Sequence, residues 1–186
     1  MMIVVAIIFV IAGMSIIALQ PSLQQFRANA AMGQVKEALR QGHEYAISQR
    51  RTVAVTFTND LYGNSEIVLN DYTVSNGVEA LNNTPFLTVP IEPSVTFRLF
   101  NAMPDTPDHF GNQGPLAFNG TAYAAGTILK FQSDGTFTNV VGTPINGSVF
   151  MGIQNMPASA RAVTILGSTG RIKGWSGANG QGWLQQ

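Results

Sequence analysis

The residues of this chain that could do chemistry are few and scattered. Its two histidines, His43 and His109, lie far apart in sequence. Asp105, Asp108 and His109 form a small acidic–histidine cluster of a type that can hold a divalent cation. They sit in a Pro-rich stretch, where such residues more often keep a loop soluble. Asp60, Asn64 and Glu66 also offer oxygen atoms, but their spacing is too irregular for a calcium loop. There is no cysteine, which excludes disulfides, thiolate chemistry and cysteine-ligated zinc. No nucleophile elbow, P-loop or paired-glycine nucleotide fingerprint occurs. The expectation is a chain that is not an enzyme and uses neither cofactor nor metal.

One constellation is worth weighing for binding. If Gly170-Arg171-Ile172-Lys173-Gly174-Trp175 is a strand, Arg171, Lys173 and Trp175 point to one side. Two cations and an indole on one face can neutralise phosphates and stack a base, which makes this strip a candidate for DNA. The competing reading is a solvated edge strand with Trp175 packed on the domain. That reading carries more weight, because no further basic residues follow. The field of the whole chain adds little. Residues 27–51 hold five basic and two acidic groups, net +3, and residues 52–186 hold five basic and eight acidic, net −3. Neither approaches the field of a dedicated nucleic-acid binder. Asn82, Asn119 and Asn146 head glycosylation sequons, about as many as chance supplies in an Asn/Thr-rich chain.

The elements behind these residues begin with an apolar run. Residues 1–19, MMIVVAIIFVIAGMSIIAL, carry no charge. As a helix they would span roughly 28 Å, close to the hydrocarbon thickness of a bilayer. No basic residue precedes the run and no convincing A-x-A site follows it, which argues against a cleaved secretory signal. A plain transmembrane anchor fits the run equally well. The continuation discriminates. After Pro21 a helical period persists: Leu23, Ala30, Ala31, Val35, Ala38, Leu39, Gly42, Tyr45 and Ala46 share one broad face, and Lys36, Glu37, Arg40, His43 and Glu44 the other. Arg27 falls on the apolar side. One helix is therefore expected from the apolar run to about Arg51, with a kink or local melting at Pro21. A stem of this length exceeds what holding a domain on a membrane requires. It suits a helix whose first half packs against neighbouring helices and whose second half packs on its own domain.

Beyond Arg51 the period becomes alternating. Val53, Val55 and Phe57 mark a half-buried strand. Further strands are expected at 66–69, 94–100, 127–131, 136–141, 148–153, 160–166 and 171–175, the last closing the sheet. Asp134-Gly135 marks a hairpin and Ser168-Thr169-Gly170 a turn. Residues 101–126, rich in Pro, Gly and Asn, read as a long surface loop with a short strand near 116–118. The fold class expected is α+β, a long N-terminal helix (residues 1–51) packed on an antiparallel β-sheet head (residues 52–186). Charged residues are 11% of the chain, against roughly 25% in an average soluble domain. Such a surface suits a protein that buries its outside against copies of itself.

These pieces together resemble the type IV pilin superfamily. IVVAII at 3–8 resembles the interior of its shared N-terminal helix, and Pro21-Ser22-Leu23 its helix-bending proline region. The head is most similar to GspH/FimT-type pseudopilins. The matching stretches are Ala46–Arg51 running into TVAVTF, the hairpin FQSDGTF, then GSVFMGI, and RAVTILGSTGRIKGW. The resemblance implies a structural subunit of a type IV pilus-like or type II secretion-like filament. Its core would be built by Ile3, Val4, Val5, Ile7, Ile8, Phe9, Val10, Ile11, Ile16, Ile17 and Leu19, with Pro21 at the bend. The implied partners are copies of itself, other pilins or pseudopilins, the bacterial inner membrane before assembly, a prepilin peptidase and the assembly machinery. The subunit would then reside in a periplasmic or extracellular filament. The family's peptidase motif, a glycine before an aromatic residue and then a short apolar stretch ending in glutamate, is expected just ahead of Met1. Its glutamate's role falls on no residue of this chain. The segment at 170–175 is also similar to the basic GRxR-like tail motif of fimbrial-T-type pseudopilins, some of which bind DNA for uptake. Here the last basic position is Lys173. A DNA-binding minor pseudopilin is thus the second reading, and a membrane-anchored periplasmic binding module that never polymerises is the third.

Overall fold

The computed structural model describes residues 2–75, 78–177 and 182–186, with side chains at 22–74, 79–177 and 182–186. The side chains of the apolar run, including Ile3, Val4, Val5, Ile7, Ile8, Phe9, Val10, Ile11, Ile16, Ile17, Leu19 and Pro21, lie outside the described residues.

One helix, α1 (Met2–Gln49), precedes a head made of strands. Forty-eight residues of helix span about 72 Å. The helix continues through Pro21, so the expected local melting does not occur. A proline removes a single hydrogen bond, and the turns on either side keep theirs. The stem ends at Arg50, which adopts the left-handed conformation (φ 53°) that commonly terminates helices.

The head contains β1 (Val53–Asn59), β2 (Ser65–Ser75), β3 (Val78–Leu81), β4 (Leu87–Pro90), β5 (Val95–Phe97), β6 (Leu116–Phe118), β7 (Thr121–Ala122), β8 (Ile128–Phe131), β9 (Phe137–Thr138), β10 (Gly147–Ile153), β11 (Arg161–Leu166), β12 (Arg171–Gly177) and β13 (Trp183–Gln185). They form two sheets where one was expected. The first has the order β3-β2-β1-β8-β9 with β4 also on β2, and the second β13-β12-β11-β10-β6-β7 with β5 also on β10. All pairings are antiparallel. The expected 136–141 strand shrinks to two residues, because Asn139 folds the chain back by accepting from the amides of Val141 and Thr143. The 171–175 strand is longer than expected and does not close the sheet, since β13 pairs beyond it. The hairpin at Asp134-Gly135 is present: the Asp134 carboxylate accepts from the amide and hydroxyl of Thr136, and Gly135 takes φ 86°.

The stem lies across both sheets. Ala28, Ala31, Met32, Val35, Ala38, Leu39 and Ala46 are its buried apolar residues, at the three- and four-residue spacing of one helix face. All of these except Ala28 join Val53, Val55, Phe57, Leu69, Phe131, Phe137, Val149 and Val163 in one core. Leu23 and Ala30, placed on this face by the sequence, are exposed. Leu23 precedes the first buried residue, Ala28, and Ala30 lies at the edge of a stripe narrower than expected. Arg27 resolves its own anomaly by reaching Glu92 at 3.8 Å.

The largest difference concerns residues 101–126. They hold two short strands, and their first part covers the outer face of the second sheet. That sheet is apolar on both faces. Phe150, Ala162 and Trp175 form a second buried cluster with Leu99 and Trp183 against it. A sheet with two apolar faces needs cover on both. The stem supplies one cover, and Leu99, the 101–113 segment and Trp183 supply the other.

Candidate functional site

The stem is the first candidate. Ser22, Leu23, Gln25, Phe26 and Arg27 are exposed, and burial begins at Ala28. The helix therefore runs about 26 residues, roughly 39 Å, before it enters the head's core. Among residues with described side chains, no helix is long and apolar enough to cross a membrane; the run 1–19 is not among them. Where stem meets head, Arg161 forms a clamp. It is almost fully buried, with its Nε donating to Asn29 Oδ1 at 2.6 Å and Nη1 to the carbonyls of Ala160 (2.7 Å) and Ala158 (3.3 Å). Burial pushes its pKa below the ordinary guanidinium value. The sequence reading missed this residue, though a lone arginine opening the apolar RAVTIL strand was a signal. Farther along, His43 leaves the expected solvated face. Its ring sits edge-on to Phe131, 5.4 Å between centroids, because the turns at Gly135 and Gly170 close over it.

The 171–175 strip is the second candidate. Arg171, Lys173 and Trp175 do share a face of β12, but the tertiary structure occupies most of it. Trp175 is 6% exposed, and its indole N–H donates to Thr164 Oγ1 at 2.9 Å. The Thr164 hydroxyl in turn donates to Asp108 Oδ2 at 2.6 Å, and Lys173 Nζ donates to Asp108 Oδ1 at 2.9 Å. Arg171 alone is exposed. The indole face that would stack a base is covered, and one of the two cations is neutralised. The network holds the 101–113 segment on the sheet, aided by the Trp183 indole donating to the Pro104 carbonyl at 2.9 Å.

Burial pushes the Asp108 carboxyl up. The hydrogen bonds from Thr164 and Lys173, with the charges of Lys173 and Arg171, pull it further down, so the net shift is below the ordinary 3.8. A carboxylate with a lowered folded pKa contributes stability that is complete above the unfolded value and is lost as pH falls through the folded one. Asp108→Asn should therefore flatten the acid limb of the stability profile between about pH 2 and 5. Chemical denaturation across that range checks it; an unchanged acid limb would mean the ion pair contributes nothing.

Asp105, Asp108 and His109 do not converge. Asp108 turns under the segment towards β11 and β12. Asp105 and His109 instead line an open cleft of about 400 Å3 with Phe110, Gln113, Asn119 and Asn146. Among the described residues no three His, Cys, Asp or Glu side chains gather as a metal would need. Asp60 is likewise engaged in a turn. Its carboxylate accepts from the amides of Tyr62 and Asn64 and from Asn64 Nδ2, all within 2.9 Å.

No protein-family model and no curated protein matches the chain. The solved structures it is similar to include the type IV minor pilin FimU of Pseudomonas aeruginosa PAO1 in two crystal forms. In one, identity is 15%, covering 85% of this chain and 98% of that one at a TM-score of 0.47. In the other, identity is 15%, covering 90% and 97% at 0.45. The minor pseudopilin EpsH of the type 2 secretion system of Vibrio cholerae is similar at 15% identity over 80% of this chain and 94% of that one, at 0.43.

Proposed function

We propose that this chain is a non-enzymatic filament subunit of the pilin or pseudopilin kind, held in the bacterial inner membrane by residues 1–19 and assembled through them into a periplasmic or extracellular polymer. The observation that carries this reading is the continuity of α1. One helix bears the uncharged run at its start and the head's core stripe from Ala28 to Ala46 at its end. A rigid rod of this kind fixes the head relative to the apolar segment. That geometry is superfluous for a tether, and it is what a helical polymer of identical subunits needs. Assembly would bury apolar helix surface against equivalent helices, with no bond made or broken. The charge-poor surface supports the same reading, because close-packed heads desolvate little charge.

The absence of cysteine makes a clean test available. Single cysteines introduced at Val10 and Ile17 should yield disulfide-linked dimers between subunits under mild oxidation in cells that assemble the polymer. Cysteines at Arg40, on the exposed outer side of the stem beside its Glu44 partner, should not. Equal crosslinking at all three positions would count against a helix-packed core.

A further inference from the structure

We propose that the cleft between the 105–113 segment, the turn at Asn119 and the neighbouring Asn146 is a binding site for a neutral sugar ring, a pyranose unit, independent of assembly. Its volume of about 400 Å3 falls in the ordinary range for small-molecule sites. Its charge is low: Asp105 is the one carboxylate and no lysine or arginine lines it. A phosphate or nucleotide would find no lysine or arginine to neutralise it, and a metal ion would find too few anionic ligands. The cleft's polar side chains are planar groups that donate and accept along fixed directions, which is what an array of hydroxyls requires. Phe110 lines the same cleft and supplies the apolar component that the C–H face of a sugar ring can cover.

The two asparagines are held in place by the fold. Asn119 Oδ1 accepts from the Asn146 amide at 3.0 Å, and Asn146 Oδ1 accepts from the Gly167 amide at 2.9 Å. The Asn119 amide donates to the Asn146 carbonyl at 2.9 Å, which locks the Asn119 turn to the start of β10. Each side chain has its oxygen fixed, so the direction of each Nδ2 is fixed as well. Among the described residues neither Nδ2 has a partner. Asp105 is oriented in the same way: its two oxygens accept from the amides of Thr106 (2.7 Å) and Gly111 (2.9 Å), and each keeps a free lone pair. Asn119 and Gly120 take φ 48° and 71°, the pair of left-handed residues that the two-residue hairpin between β6 and β7 requires, and His109 takes φ 55°. At Gly111, φ 105°, a Cβ would come within 3.0 Å of the Gly120 backbone, so only glycine lets the two walls approach.

The test uses the full chain in a detergent without a sugar headgroup. Saturation-transfer NMR is run with methyl α- and β-glycosides of glucose, galactose, mannose and N-acetylglucosamine, for chain-end rings, and with a 1,4-linked tetrasaccharide, for internal ones. At least one probe should show saturable binding. Asn119→Asp and Asn146→Asp each keep the oxygen that the fold uses and lose the Nδ2 donors. Each should weaken binding tenfold or more at an unchanged melting temperature, whereas Arg171→Ala, outside the cleft, should leave it unaltered. Absence of binding to every probe, or binding that both asparagine variants retain in full, would overturn the proposal. Neither outcome bears on filament formation, so the two readings fail separately.

Discussion

Ile8→Asp or Val10→Asp should abolish polymer formation outright while leaving the head folded. Both positions lie in the uncharged first nineteen residues, on the part of α1 that precedes the head's core by some twenty residues. A carboxylate at the centre of an apolar helix costs about 2.5–3.5 kcal/mol on insertion scales. In a helical polymer the same substitution recurs in every subunit and meets its own copies, so the cost multiplies along the filament while no compensating cation is present. The readouts are electron microscopy of sheared surface material and circular dichroism of the purified variant. A variant that forms normal filaments would sink the assembly role of this segment. A variant whose head is unfolded would show instead that the apolar run is part of the domain.

The second large effect concerns the grip of the stem on the head. Val35 and Leu39 are both fully buried and lie in the core shared with both sheets. Leu39→Asp loses the leucine's packing and puts a carboxylate where no cation waits. Leu39→Ala alone should cost about 2–5 kcal/mol, and the aspartate adds the desolvation of a charge. The sum is on the order of 5 kcal/mol or more, comparable to the whole stability of an ordinary domain. A chain begun at Arg27 and carrying Val35→Asp or Leu39→Asp should therefore be largely unfolded at room temperature. Arg40→Ala, one residue away on the exposed side, should shift stability by less than about 0.5 kcal/mol. Equal melts for Leu39→Asp and Arg40→Ala would mean that the stem is not packed on the head.

Much of this architecture is local, and the sequence alone determined it. The 3.6-residue period from Ala31 to Ala46, the alternation of Val53, Val55 and Phe57, and the glycine turns at Gly135 and Gly170 are read between residues a few positions apart. They give the long helix, the α+β class and the hairpins. Leu23 and His43 mark where that reading fails. A helical wheel gives a side chain's direction but not whether the head extends far enough to cover it, or which turn closes over it. The two sheets, and the cover that residues 101–113 lay on the second, were decided by the tertiary structure. Phe150, Ala162 and Trp175 make the outer face apolar, and what covers it comes from 40 to 70 positions away in the chain, through Asp108 with Thr164 and Lys173. That pairing also decided the fate of the 171–175 strip. The period of two put Arg171, Lys173 and Trp175 on one face, but only a long-range contact could bury the indole and neutralise the lysine. The cleft at Asn119 and Asn146 is of the same kind: the Asn-Gly turn at 119–120 and the residue that leads into β10, 27 positions apart, each ordinary in sequence, come together because backbone amides hold their side-chain oxygens and so fix where their Nδ2 groups point.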